Sequence, residues 1–248
     1  MDKFNKAVPI CKVKYLFLNL LKFTQPKLIL DVGSMDGSDS LRFRKMCPEA
    51  KILAFEANPY NYGKMLENTA LTQSRIEVFN HLVSNDTQSE FYITKDSAKG
   101  VGNLGSSSMR APLNTELVQE KITPKTASLK QIISKYSSSA DSIAMWVDVE
   151  GAAYEVLESA RGCNTQISLL HVEVETVERW KDQKLKDDVV QLCTEFGLVL
   201  AAQSDNPTQQ DLVFVRGNLL KENPNIFRSA FLLTKFLGPS SSRILERF

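Results

Sequence analysis

Asp31, Glu56, Asp148, Glu173 and Glu175 are carboxylates that stand at the carboxyl ends of apolar runs, and Gly33 and Gly37 follow the first of them closely. The first run reads Leu28-Ile29-Leu30-Asp31-Val32-Gly33-Ser34-Met35-Asp36-Gly37-Ser38. An apolar strand that ends in Asp-x-Gly and turns tightly through a second Gly is how a doubly wound α/β sheet presents a nucleoside-type cofactor to its first helix. The second run, Ile52-Leu53-Ala54-Phe55-Glu56-Ala57-Asn58-Pro59, places a carboxylate roughly 20 residues later, where such a fold holds two ribose hydroxyls. The plain alternative is that Asp31 caps a turn and Glu56 is a solvated strand end.

The glycine spacing selects among cofactors. A dinucleotide fingerprint counted from Gly33 needs Gly at 35 and 38 so that the backbone can close on a pyrophosphate, and this chain has Met35 and Ser38 there. The remaining pattern suits S-adenosylmethionine, which has no phosphate but carries an amino group and a carboxylate. Asp31 answers the first, and the start of a helix spanning Ser38 to Met46 answers the second.

Asp148 follows the apolar run Ile143-Ala144-Met145-Trp146-Val147, and His171, Glu173 and Glu175 alternate along the next run, which puts them on one face of a strand. In an open α/β sheet the ligand lies outside the carboxyl ends of the strands, so Asp148, Glu173 and His171 are the candidate catalytic groups. Three uses compete for them: general base toward a substrate hydroxyl, ligands for a divalent cation, or acceptors that fix a polyhydroxylated substrate. A cation is compatible with these oxygens and is not predicted. A neutral core histidine bonded to backbone is the structural alternative for His171.

These groups need strands and helices that alternate. Runs at Ile76-Glu77-Val78-Phe79-Asn80 and Ile167 to Glu175, with helices from Ser128 to Tyr136, Tyr154 to Ala160 (closed by Gly162 as C-cap) and about Lys184 to Phe196, keep that rhythm. Leu198 to Ala202 and Asp211 to Val215, joined at Asn206-Pro207, read as an antiparallel hairpin. The expected fold is therefore α/β, a Rossmann-like, mostly parallel seven-stranded sheet with an antiparallel last strand and helices on both faces.

The chain is expected to be a single domain over 1–248, with a basic amphipathic helix in 1–27, a core over 28–216 and a helical extension over 217–248 that opens at Asn223-Pro224. In that extension Ile226, Phe227, Ala230, Phe231 and Leu233 share one side. The lysines of the first helix form either a solvated face or a docking face for anionic lipid or a partner. A polar insertion over about 85–125 contains a strand at Glu90 to Ile93 and a Gly- and Ser-rich run, Gly100 to Ser108, which reads as a lid over a substrate or as a surface loop.

A net charge of +1 offers no electrostatic footprint for nucleic acid, and 43% hydrophobic with 24% charged residues is ordinary for a globular chain. Cysteines at 11, 47, 163 and 193 lack metal-ligand or redox spacing, and no secretory signal or membrane-spanning run is read. Free thiols in a reducing cytoplasm are expected.

With these residues in view, the chain resembles the FkbM family of S-adenosylmethionine-dependent methyltransferases from about Lys27 to Arg216. The resemblance rests on the Asp31 to Gly37 turn, Phe55-Glu56-Ala57-Asn58-Pro59, Val147-Asp148-Val149-Glu150-Gly151-Ala152, His171-Val172-Glu173-Val174-Glu175 and Asp211-Leu212-Val213-Phe214. It implies a class I fold and methylation of a hydroxyl on a sugar, glycan, polyketide or related small molecule. It also implies that Gly33, Ser34 and Gly37 wrap the methionine part of the cofactor, Glu56 with Ala57 the ribose, and Leu82, Val83 and Ser84 the adenine, with Asp148 beside the reacting methyl. Met35 stands where members often carry Asn, and Ala153 where they often carry Glu. A nicotinamide-dependent oxidoreductase and a binding protein without turnover are the rival readings.

Overall fold

The computed structural model describes residues 12–86, 89–94 and 105–236. The chain begins with α1 (Val13–Thr24), β1 (Leu28–Val32), α2 (Ser38–Met46), β2 (Lys51–Phe55), α3 (Pro59–Glu67), α4 (Thr69–Gln73) and β3 (Ile76–Phe79). Four short strands follow: β4 (Leu82–Val83), β5 (Phe91–Thr94), β6 (Val118–Ile122) and β7 (Thr126–Ala127). The rest runs through α5 (Leu129–Tyr136), β8 (Ile143–Val147), α6 (Ala153–Glu158), β9 (Ile167–Glu175), α7 (Lys186–Glu195), β10 (Leu198–Gln203), β11 (Gln209–Arg216), α8 (Gly217–Glu222) and α9 (Pro224–Phe236).

Seven strands form one sheet in the order β10-β11-β9-β8-β1-β2-β3, and only β11 runs against its neighbours. This is the Rossmann-like class I methyltransferase arrangement expected from the sequence. The chain winds outward from β1 through β2 to β3, then returns to β8 on the other side of β1. The order reverses between β1 and β8, and at that switch point the sheet leaves a crevice above the carboxyl ends of its strands.

Local chemistry explains the central elements. All five residues of β8 are buried, and they alternate between the two core faces: Ile143, Met145 and Val147 pack with α5, α6 and α7, while Ala144 and Trp146 pack with α1 and α2. Asn58 caps α3 by accepting the Tyr60 N–H at 3.0 Å, and Pro59 occupies the first helical position, where a missing N–H costs nothing. Ser128 and Gln131 close a reciprocal capping box on α5.

Helix α1 packs on its own sheet: Val13, Leu16, Phe17, Leu20 and Leu21 are buried. Lys3 and Lys6 lie outside the described residues. Two local expectations are corrected. The helix after β8 ends at Glu158, and Gly162 belongs to the turn beyond it with φ 94°, so Ser159 is the C-cap. The insertion holds two paired strands, β5 and β6, because Phe91 and Ile93 bury one face of that ladder. In α9, Ala230 is buried and Phe227 packs beside it, whereas the side chains of Ile226, Phe231 and Leu233 lie outside the described residues. Among the described residues no helix is long and apolar enough to cross a membrane.

Candidate active site

The β1 turn is closed by the end of β2. Gly33 and Ser34 N–H groups both donate to the Phe55 carbonyl, at 2.9 and 3.1 Å. The Met35 N–H donates to Glu56 Oε2 at 2.7 Å, which holds Met35 in a left-handed conformation (φ 52°) with its side chain half exposed. Glu56 Oε1 accepts the Asn58 N–H at 2.8 Å. Burial pushes the Glu56 carboxyl up to about 7, against the N–H groups that favour its ionised form.

A cleft opens above this turn, with about 780 Å³ of empty space when its open mouth is included. Gly33, Met35, Glu56 and Ala57 line one wall; His81, Leu82, Val83 and Phe91 line another; Asp148, Val149 and Glu150 close the end over β8. Ser107, Ser108 and Met109 cover it from the insertion. Ser107 Oγ accepts from Asn58 Nδ2 at 3.3 Å, and the Ser108 backbone bridges to Tyr92, so this part of the insertion is tied to both α3 and β5. Gly105 also reaches the cleft, while Gly100 to Leu104 lie outside the described residues.

Of the sequence-selected cofactor residues, Gly33, Glu56, Ala57, Leu82, Val83 and Asp148 line this cleft, and Asp31, Ser34, Gly37 and Ser84 do not. Strand alternation explains Asp31: it shares the α2 face of β1 with Ile29, where its Oδ2 accepts from Ser40 Oγ. Its Oδ1 is buried without a hydrogen-bond partner among the described residues, and burial raises the carboxyl to about 7. Ser34 Oγ turns back to the Asp31 carbonyl at 3.0 Å. Ser84 is buried, and its Oγ accepts the Asp86 N–H at 3.1 Å. Gly37 is the left-handed N-cap of α2, where a Cβ would meet Leu71 at 2.8 Å.

The three carboxylates at the ends of β8 and β9 separate into two settings. Glu175 is buried and accepts the Gly151 N–H at 3.0 Å, so it anchors the turn after β8. Asp148 and Glu173 follow the paired residues Val147 and Val172 on adjacent parallel strands, and their carboxyl groups lie within hydrogen-bonding reach. Burial raises both; His171 opposes the rise at Asp148, and the charge of Asp148 adds to it at Glu173.

His171 stands one step deeper. Its ring is fully buried, stacks on Trp146 at 3.4 Å and 4°, and meets Phe17 edge-on at 5.9 Å. Nε2 lies 3.2 Å from Asp211 Oδ1, and the ring does not line the cleft. The structure therefore brings Asp148 and Glu173 together and holds His171 behind them. Among the described residues no three His, Cys, Asp or Glu side chains are grouped to hold a metal ion.

Sequence reasoning missed Met35 as a cleft wall, His81, Glu150 and Asp211. The burial of His81 Nδ1 without a partner among the described residues has no sequence signal. Asp211 lies directly opposite Glu173 through the pairing of β11 with β9, a register that leaves no signal in the sequence.

The family described as Methyltransferase FkbM domain matches residues 31–200 of the chain. The 2-O-methyltransferase NoeI of Sinorhizobium fredii is 26% identical over 204 residues, spanning 80% of this chain and 83% of that protein. Among solved structures, the methyltransferase FkbM of Methylobacillus flagellatus KT is 13% identical with a TM-score of 0.43, over 76% of this chain and 44% of that one. An O-methyltransferase from Bacillus cereus in complex with SAH is 12% identical with a TM-score of 0.44, over 85% of this chain and 84% of that one.

Proposed function

This chain belongs to the methyltransferase FkbM domain family, and from that premise we propose that it methylates a hydroxyl of a sugar, glycan or related small molecule, with S-adenosylmethionine as donor. The observation that carries this reading is the cleft itself. Glu56 and Asp148, at the ends of two strands that flank β1, face one cleft across the Gly33 turn.

The cleft residues fit the donor. Glu56 accepts the Met35 and Asn58 N–H groups, one on each oxygen, and lines the cleft at the end of β2, where a carboxylate can accept from a ribose diol. Leu82, Val83, Phe91 and Met109 form an apolar slot for a flat base, and His81 Nδ1, buried without a partner among the described residues, offers it one polar contact. Met35 and Asp148 bound the opposite end, where the reacting group belongs.

When bound, the donor supplies a methyl group on a positively charged sulfur, which keeps the bonding pair as the methyl leaves. The chain supplies placement and a proton acceptor. An alcohol oxygen that takes a methyl must lose its O–H proton, and Asp148 is the carboxylate that lines the cleft at the switch point. Burial raises its proton affinity above that of an ordinary carboxylate, which favours its taking that proton. The 2-O-methyltransferase name of the Sinorhizobium fredii relative supports oxygen as the methylated atom.

Calorimetry and thermal melting with S-adenosylmethionine and S-adenosylhomocysteine test the donor. Both ligands should bind and raise the melting temperature by linkage. Failure of both, with binding of a nicotinamide dinucleotide instead, would sink this function.

A further inference from the structure

Three carboxylates stand in one row across three adjacent strands. Val147 of β8 pairs with Val172 of β9, which sets Asp148 beside Glu173, and Asp211 of β11 lies directly opposite Glu173 in the antiparallel register. Like charges placed directly opposite on neighbouring strands repel. Among the described residues no Lys or Arg forms an ion pair with Asp148 or Glu173. The groups that face the row are His171 behind it, Glu150 above β8, Asp31 and Asp39 from β1 and α2, and Lys14 of α1, which is itself paired with Asp39 at 2.7 Å.

The third member is held differently. Burial alone would raise the Asp211 carboxyl, but the His171 ring, with Nε2 3.2 Å from Oδ1, and Lys14 farther off hold it below the usual range. Asp211 therefore stays ionised beside a pair whose carboxyl groups lie within hydrogen-bonding reach. Two carboxyl groups so close in a desolvated site ionise one at a time. Gln209 Nε2 donates to Glu173 Oε1 at 2.7 Å, which leaves the other Glu173 oxygen to carry a proton toward Asp148.

We propose that Glu173 and Asp211 are positioning residues for Asp148: Glu173 carries the single proton shared by the pair and donates it in a hydrogen bond to Asp148, while the ionised Asp211 raises the proton affinity of the pair. This rests on the reading of Asp148 as the proton acceptor, and it assigns that role its setting. A neutral Glu173 fixes one Asp148 oxygen and leaves the other for the acceptor hydroxyl. The charge of Asp211, itself anchored on His171, makes the pair a stronger base than an isolated carboxylate.

Carboxyl ¹³C NMR of protein labelled at the Asp and Glu side-chain carboxyl carbons reads this without any acceptor. The Glu173 signal is the one missing from Glu173→Gln. In the wild type it should remain protonated at neutral pH; Asp148→Asn and Asp211→Asn should each lower its midpoint by about half a pH unit or more. Gln209→Glu adds a charge opposite in effect to Asp211→Asn and should raise it. A Glu173 signal ionised by pH 6 overturns the proposal. So does a midpoint unmoved in folded Asp211→Asn protein, with Gln209→Glu deciding the point if that variant does not fold. Wild-type turnover by Asp148→Asn with these shifts intact would instead overturn the role of Asp148 and leave the shared proton standing.

Discussion

A Cβ placed on Gly33 would lie 1.9 Å from the carbonyl oxygen of Asp148. The turn after β1 and the end of β8 touch backbone to backbone, with the Asp148 N–H donating to the Val32 carbonyl at 2.9 Å. Gly33 is thus required by the packing of the sheet's own strand ends as well as by any ligand above them.

Gly33→Ala combines that overlap with a φ of 83°, so it should destabilise the fold by about 2 to 5 kcal/mol and displace Asp148. Thermal or urea unfolding measures the loss. A variant as stable as the wild type would mean that the two strand ends separate freely.

Glu56→Ala removes the acceptor offered to a ribose and also the carboxylate that holds the Met35 N–H. Donor affinity should fall by about 1 to 3 kcal/mol, measured by calorimetry with S-adenosylhomocysteine. Unchanged affinity in a folded variant would move the ribose contact to another residue.

Asp31 links burial to pH. Its carboxyl is raised from 3.8 to about 7 by desolvation, so between those values the folded state keeps a proton that the unfolded chain has released. Stability therefore falls as pH rises from about 4 to 7 and levels off above, and the similarly raised Glu56 and Glu150 act with the same sign. Asp31→Asn keeps an acceptor for Ser40 and gives the unpartnered position an uncharged amide. The variant's melting temperature should decline less between pH 5 and pH 8 than the wild type's, equivalent to about 1 to 3 kcal/mol. Parallel pH profiles would show that Asp31 is not the group responsible.

Asp148→Asn keeps the shape of the strand end and removes the proton acceptor. The variant should remain folded and lose a factor of about 100 to 10,000 in methyl transfer to a hydroxyl acceptor. Rate measurements against the wild type, with melting curves as the folding control, check this. Full activity would assign Asp148 a structural part.

Much of the frame is legible residue by residue. The helix Ser38–Met46 matches its expected bounds because Gly37 before it and the apolar strand behind it leave little freedom. The unbroken apolar run Ile143–Val147 is a central strand, buried on both faces as such a run must be. The hairpin of β10 and β11 follows from two apolar runs around Asn206-Pro207, and Asn206 Oδ1 accepts the Thr208 N–H at 3.0 Å in that turn. The insertion is less legible, because its ladder with the loop after β9 joins distant segments: the Leu113 N–H donates to the Arg179 carbonyl and the Lys181 N–H to the Ala111 carbonyl.

Strand polarity, the alternation of elements and the identity of the residues at strand ends are local properties, set by hydrophobic period and turn chemistry, and so the sequence alone determines the fold class and a short roster of acids. Which of those acids meet is a property of register between strands far apart in the chain. Only the tertiary structure could turn Asp31 under α2, stack His171 on Trp146 beneath the site, spend Glu175 on the Gly151 N–H, and line up Asp148, Glu173 and Asp211. A one-residue change in register moves every side chain to the other face of the sheet, and no stretch of sequence records the register of its neighbours.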